Sequence, residues 1–299
     1  MKILVFGAGA IGSLFGGLLS KKYDVTLLGR REHIEAIKKN GLEIHGKTKL
    51  HCYPKALLTT KESYDLIILT VKSYDTLKAC RQLKRNLANA SCVLSIQNGL
   101  NEEILVNELG KQNILRGVTS HGAFILKPGK IYHAGKGDTI IGEIDNATTR
   151  VKEIAEIFNS VGIETKITNN IFYELWLKVI INACINPLTA ITRLKNGAIL
   201  SNKALRALAE EICREAVGVA NKIGNFKFYY SKVWKKVLEV AKATKNNKSS
   251  MLQDIEKGKR TEIDFINGKI VEFGKKLGVE TTINSIIVEL VKSLEPGKG

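Results

Sequence analysis

Residues 2–12 read KILVFGAGAIG: an apolar, β-branched run, Lys2–Phe6, closed by Gly7-Ala8-Gly9-Ala10-Ile11-Gly12. A G-x-G-x-x-G string alone says little. Here it directly follows a strand signal and opens a helical one, Ala10–Leu19, and that context makes it specific. Gly7 permits the tight turn, Gly9 lets the backbone approach a pyrophosphate, and Gly12 lets helix and strand pack closely. The helix N-terminus offers unpaired N–H groups and a positive dipole end to phosphates. The plainer alternative is a glycine turn with no ligand. The stretch Gly7, Ala8, Gly9, Ala10, Ile11 and Gly12 is thus the candidate dinucleotide cradle.

Working outward, strand and helix signals alternate. A strand is expected at Asp24–Leu28, a helix at Arg31–Lys39, a strand at Asp65–Val71 and a helix at Thr76–Arg85. Ser91–Ile96 reads as a strand and Glu102–Leu109 as a short helix. Between Gly117 and Gly142 short runs with glycines suggest strands closing the sheet. Val151–Ser160 reads as a helix and Glu164–Ile167 as a last strand. This alternation predicts an α/β fold, a Rossmann-type doubly wound parallel sheet. Past Asn170 only helical periodicity remains, around 171–192, 202–223, 229–245, 252–276 and 282–294. The expected organisation is a dinucleotide-binding domain over 1–168 and an all-helical domain over 169–299, for substrate and dimerisation.

The 299 residues are about two domains' worth, and 44% hydrophobic with 25% charged is ordinary for a globular protein. That composition excludes collagen-like, disordered and toxin-like chains. The longest uncharged apolar runs fall far short of the ~20 residues that span a bilayer. The first residues look more like a buried strand than an export signal, so the cytoplasm is the expected compartment. Five widely spaced cysteines, 52, 80, 92, 184 and 213, with no C-x-x-C pair, argue against a disulfide framework and a zinc site. Cys80, beside a cofactor motif, is a minor candidate for thiol chemistry. The net charge of +17 is spread evenly, 24 basic against 16 acidic residues in 1–168 and 22 against 13 in 169–299. A solvated surface explains this better than a nucleic-acid site, and it favours anionic small molecules.

Cofactor choice is read after the second strand, where Leu27-Leu28-Gly29-Arg30-Arg31-Glu32 carries arginine rather than a lone acid. Arg30 suits a 2′-phosphate, so NADP(H) is favoured, while Glu32 keeps NAD(H) open. The third strand ends in Thr70-Val71-Lys72-Ser73 and the fourth in Gln97-Asn98-Gly99, where ligands bind in open α/β sheets. Lys72 and Asn98 are candidate cofactor contacts, or else cap and turn residues.

Residues 171–192, IFYELWLKVIINACINPLTAIT, are mostly apolar, with Lys178, Asn182 and Asn186 at i, i+4 and i+8. That spacing aligns them on one face. A buried, unpartnered lysine is costly, so the stripe suggests a lined cleft, with a polar seam between helices as the alternative. Burial also lowers a lysine's pKa toward general-acid use. Asn196 follows just beyond the helix. Near the C-terminus comes Asn247-Lys248-Ser249-Ser250-Met251-Leu252-Gln253, where a serine is expected to cap a helix with Gln253 completing a capping box. Glu262 is expected in an amphipathic helix, a solvent-facing carboxylate being the plainer reading.

Together the chain resembles the 2-dehydropantoate 2-reductase (ketopantoate reductase) family. The likeness rests on GAGAIG, VKSYDT at 71–76, QNG at 97–99, HGA at 121–123, LWLKVIINACINPLTA at 175–190, KNG at 195–197 and SSMLQD…GKRTEID at 249–264. The resemblance implies a Rossmann domain plus a helical domain with the active site in the cleft between them. It implies that Lys178 gives the proton to the ketone oxygen and that Glu262 contacts the cofactor and orders the catalytic site. It implies cofactor contacts from Arg30, Lys72, Asn98 and Ala123. Substrate contacts are implied for Asn98, Asn182, Asn186, Asn196, Asn247 and Ser250, beside Lys178. It also implies a homodimer; no metal is expected, since no His/Cys cluster in the sequence suggests one. Residues 40–60 and 224–246 show no distinctive match. Two other readings stay open: a reductase of another 2-keto acid, sugar-phosphate or opine type, and a non-enzymatic dinucleotide sensor.

Overall fold

A computed structural model describes residues 1–84, 86–144, 149–224 and 226–297. The chain divides into two compact units, Met1–Gln97 with Asn101–Glu174, and Asn98–Leu100 with Leu175–Gly299. The first unit holds strands β1 (Lys2–Phe6), β2 (Asp24–Leu28), β3 (Leu42–Gly46), β4 (Leu50–Cys52), β5 (Lys55–Leu57), β6 (Tyr64–Leu69), β7 (Leu87–Ser95), β8 (Ile114–Thr119), β9 (Gly122–Lys127), β10 (Lys130–Gly135), β11 (Thr139–Glu143) and β12 (Thr165–Ile167). Its helices are α1 (Ala10–Leu19), α2 (Arg31–Asn40), α3 (Thr76–Leu83), α4 (Glu102–Leu109) and α5 (Thr149–Ser160). The expected helix 76–85 thus ends at Leu83, and Arg85 lies outside the described residues.

Eight strands form the main sheet in the order β12-β11-β8-β7-β6-β1-β2-β5. From β5 to β8 every pairing is parallel, while β11 runs antiparallel to β8. Successive residues of β1 serve opposite faces. Ile3 and Val5 join Leu14, Phe15, Ile34 and Phe158 in one core, whereas Leu4 and Phe6 join Ala79, Cys80, Leu83 and Leu105 in the other. A strand covered on both sides reads as a continuous apolar run for this reason. The strand order reverses direction between β1 and β6, the switch point beyond whose carboxyl ends such sheets bind ligands.

The segment 117–142 does not all close this sheet, as its glycine-broken runs suggested. Only β8 and β11 do. β9 and β10 form a second, four-stranded sheet with β3 and β4, in the order β4-β3-β10-β9. β3 to β5 lie in the stretch with no distinctive motif. Nothing in their runs LEIHG, LHC and KAL names the strands they pair with. The second sheet is tied down by buried His33. Its Nδ1 accepts from the Gly129 N–H (3.1 Å) and its Nε2 bonds the Ser13 hydroxyl (3.0 Å). Burial holds this imidazole below its usual pKa.

Among its described residues the second unit has helices and no strand. α6 (Ile171–Thr192) enters from the first unit. α7 (Ala198–Ser201), α8 (Lys203–Ile223), α9 (Tyr230–Ala243), α10 (Ser250–Glu256), α11 (Asn267–Leu277) and α12 (Thr282–Ser293) follow. The periodic segment 252–276 is therefore two helices, broken at 257–266. By length and composition α6 is apolar enough to cross a membrane, contrary to the count of uninterrupted runs, because Glu174, Lys178, Asn182 and Asn186 split the run without making the helix polar. About two-thirds of that window (67%) is buried inside the protein, as in a core helix.

Candidate active site

The glycine turn is built by what surrounds it. Gly7 has φ +114°, and a Cβ there would stand 2.6 Å from the Val71 nitrogen. Thr70 donates its hydroxyl to the Gly7 carbonyl at 2.7 Å and its N–H to Phe6 O at 3.0 Å. The N–H groups of Gly7 and Ala8 both reach Leu28 O, at 2.9 and 2.8 Å. These bonds gather the ends of β1, β2 and β6. Gly9 differs. A Cβ there would meet nothing nearer than Gly7 O at 3.9 Å. Packing gives no reason for glycine at this position, whereas close approach of a ligand to the backbone does. The turn, at the N-terminus of α1, thus fits the pyrophosphate of a dinucleotide.

Arg30 is exposed and stands as the N-cap of α2, two residues past β2. Lys72, half-buried, follows β6. Its loop is clamped from behind. Gln97 Nε2 donates to Val71 O and to Thr76 Oγ1, both at 2.9 Å, and Gln97 Oε1 accepts from Ser95 Oγ at 3.0 Å. Arg116, fully buried, holds Ser95 O at 3.1 Å through Nη1 and Glu102 Oε1 at 2.7 Å through Nε. The sequence names Gln97 only as part of Gln97-Asn98-Gly99 and does not point to Arg116, since nothing local marks a charge as buried. Ala123 lies on β9 in the second sheet, opposite His133.

In the second unit, Lys178 and Asn182 are half-buried and Asn186 is buried on α6. Carrying the spacing back one turn reaches Glu174, also half-buried, which the sequence reading passed over. Burial pushes its carboxyl above the usual carboxylate range. Glu262 is not in a helix. It is buried in the break before a 3₁₀ turn, Ile263–Phe265, and its Oε2 accepts from Asn98 Nδ2 at 3.2 Å. This bond joins two residues 164 positions apart, so residues 98–100 belong with the helical unit rather than with β7 before them.

Asn196 is buried, donating Nδ2 to Thr244 Oγ1 at 2.9 Å and its N–H to Asn247 O at 3.0 Å. Its Oδ1 is buried without a partner. The Asn247 side chain is exposed. The cap of α10 is Ser249, whose hydroxyl accepts from the Leu252 N–H at 3.1 Å and from Thr189 Oγ1 at 2.8 Å. The expected capping box does not form. Gln253 lies four residues past the cap instead of three, and its amide donates to Lys248 O at 3.2 Å. Ser250 is the exposed first residue of α10, so its hydroxyl is not spent on capping.

Four cysteines are buried, and only Cys52 is half-exposed. Burial first, then Glu108, pushes the Cys80 thiol up to about 11, and burial pushes Cys92 up to about 12. The thiolate is the reactive form. Burial raises the Cys52 thiol too, but it alone is open to solvent, so a disulfide-exchange reagent at neutral pH is expected to label Cys52 first, and slowly, in the folded protein. Rapid modification of Cys80, mapped by mass spectrometry, would contradict this. Among the described residues no three His, Cys, Asp or Glu side chains cluster to hold a metal.

A family model described as "Ketopantoate reductase PanE/ApbA" matches residues 3–146, and its C-terminal counterpart matches residues 170–295. The chain is 45% identical to a 2-dehydropantoate 2-reductase of Pyrococcus horikoshii, over 99% of this chain and 98% of the relative. Among solved structures it is similar to a ketopantoate reductase from Ralstonia eutropha, with a TM-score of 0.91, 30% identity and 98% of each chain covered. It is also similar to a D-mandelate dehydrogenase solved with NADH and anilino(oxo)acetate, with a TM-score of 0.94, 27% identity and again 98% of each chain covered.

Proposed function

This chain belongs to the ketopantoate reductase family, is an oxidoreductase, and from that premise we propose that it reduces 2-dehydropantoate to pantoate with NADPH. The reaction lies on the route to pantothenate and coenzyme A, in the cytoplasm. The Rossmann unit binds the dinucleotide through the Gly7–Gly12 turn, Arg30, Lys72 and Ala123, and the helical unit binds the keto acid. A homodimer is part of the proposal, and light scattering checks it.

The observation that carries the reading is the α6 face. Lys178, Asn182 and Asn186 supply one cation and two amides on a largely buried helix. That set suits a small carboxylate better than a phosphorylated substrate, which calls for several cations. When bound, a reduced nicotinamide supplies the hydride for the C2 carbonyl carbon. Lys178 meets the charge that develops on the carbonyl oxygen and donates the proton there. Asn182, Asn186 and Asn196 orient carboxylate and hydroxyl, since each amide both donates and accepts. Asn247 and Ser250 complete the substrate set. Glu262, bonded to Asn98, sets the direction of that amide toward cofactor and substrate. Ordering the substrate this way removes much of the entropic part of the barrier.

A second reading follows from the D-mandelate dehydrogenase likeness: an NADH-dependent reductase of a bulkier 2-keto acid. A panel of 2-keto acids, including ketopantoate and phenylglyoxylate, with each cofactor separates the two. The highest kcat/KM is expected for ketopantoate with NADPH, and Arg30→Ala is expected to shift the cofactor ratio toward NADH. A panel led by phenylglyoxylate and NADH would replace the first reading by the second.

A further inference from the structure

Pro187 stands inside α6, directly after Asn186. Within a helix, proline removes the N–H that bonds the carbonyl four residues back, and its ring crowds that carbonyl. Here the orphaned carbonyl is that of Ala183, between Asn182 and Asn186 and fully buried. A buried carbonyl needs a donor from elsewhere. Asn267, itself fully buried, provides it. Its Nδ2 lies 3.3 Å from Ala183 O and 3.0 Å from Asn284 Oδ1.

The chain of bonds continues. Asn284 Nδ2 donates to Glu215 Oε2 at 2.7 Å. The Glu215 carboxylate also takes the N–H groups of Ile283 and Asn284, at 2.8 and 2.9 Å, in the first turn of α12. One network, buried but for the half-buried Glu215, thus runs from α8, across the start of α12, through the first residue of α11, to the gap in α6. On its other side Asn267 follows the 3₁₀ turn that begins after Glu262. The Phe265 carbonyl in that turn accepts the Leu100 N–H at 3.1 Å, and Glu262 accepts from Asn98. Asn267 is therefore the point where the proline gap in the Lys178 helix and the Glu262–Asn98 turn are fastened together.

We propose that Asn267 is a positioning residue for the reduction. By standing in for the N–H that Pro187 lacks, it fixes the face of α6 that carries Lys178, Asn182 and Asn186 against the turn that carries Glu262. Fully buried, it acts through Ala183 and Asn284, the residues it bonds. The role rests on the reading of α6 as the substrate helix.

The test is a cycle of Asn267→Leu, Pro187→Ala and the double variant in the full-length protein. Each is assayed with ketopantoate and NADPH, for NADPH affinity by fluorescence, and for α6 amide exchange by mass spectrometry. Asn267→Leu keeps the branched heavy-atom outline, with bulkier methyl ends, and removes the donor to both Ala183 O and Asn284 Oδ1. It is expected to lower kcat/KM at least tenfold below its melting temperature, to leave the NADPH dissociation constant within twofold, and to speed exchange in residues 183–190. Pro187→Ala gives α6 its own N–H for Ala183. Alone it is expected to stay near wild type, and in the double variant to restore most of the lost activity and protection.

A lower melting temperature with unchanged kcat/KM would make Asn267 merely structural and overturn the proposal. So would a double variant no better than Asn267→Leu, or a loss of activity in Pro187→Ala alone, which would give the role to the proline itself. If the wild type does not reduce ketopantoate, the substrate reading fails, while the exchange experiment still decides whether Asn267 holds α6.

Discussion

Lys178→Ala is expected to lower kcat for 2-keto acid reduction by about 10²–10⁴-fold, the usual contribution of a positioned general acid. Hydride arriving at a carbonyl carbon leaves a full negative charge on oxygen unless a proton or a cation meets it. On the α6 face Lys178 is the only cation, and Asn182 and Asn186 beside it are neutral. The asparagines can hydrogen-bond the oxygen but cannot protonate it. Affinity for NADPH is expected to change by less than about threefold, or ~0.7 kcal/mol, since the cradle lies on the Rossmann unit. Lys178→Arg separates the two parts of the role. It keeps the positive charge, but a guanidinium does not give up its proton in the working pH range. An arginine variant as slow as the alanine variant assigns the role to proton donation, and one near wild type assigns it to charge alone. Steady-state rates followed by dinucleotide absorbance, with NADPH titrations alongside, check both. An alanine variant within a few-fold of wild type would remove Lys178 from the chemistry.

The unequal legibility of the chain has physical causes. β1, β6 and the turn between β1 and α1 were readable because they are covered on both sides or shaped by a tight approach, and both leave local marks: continuous apolar runs and spaced glycines. The α6 stripe was readable because helical spacing places side chains without reference to the rest of the fold. The second sheet was not. β3 and β10 pair in parallel although some 85 residues separate them, and short strands paired at such range carry no local sign of their partner. Glu262 was assigned to a helix because apolar spacing runs on through 252–276, while the break depends on distant bonds. Thr261 donates its N–H and hydroxyl to Glu295 Oε1 at 2.8 and 2.6 Å. Asn267 stayed unseen for the same reason. A proline inside a helix leaves a carbonyl without its donor, but only the fold says which side chain fills the gap.

Gly9→Ala is expected to abolish tight dinucleotide binding while leaving the fold intact, and Gly7→Ala to damage both. Gly9 has φ −80°, open to any residue, and a Cβ there meets only Gly7 O at 3.9 Å. The cost to folding is that of a poorer helix cap, roughly 1 kcal/mol or less. The added methyl would stand where the pyrophosphate must lie against the backbone. The NADPH dissociation constant is expected to rise by about 100-fold, or ~2.7 kcal/mol, through lost contact with the first turn of α1. At Gly7 the φ of +114° alone costs an alanine roughly 1–3 kcal/mol. The methyl would also press on the backbone of Val71, which cannot swing aside as a side chain end does. Thermal unfolding is expected to separate the pair, with Gly9→Ala melting near wild type and Gly7→Ala several degrees lower. Calorimetric titration with NADPH completes the comparison. If Gly9→Ala binds NADPH as tightly as wild type, the first turn of α1 is not where the pyrophosphate sits, and the glycine at position 9 needs another cause.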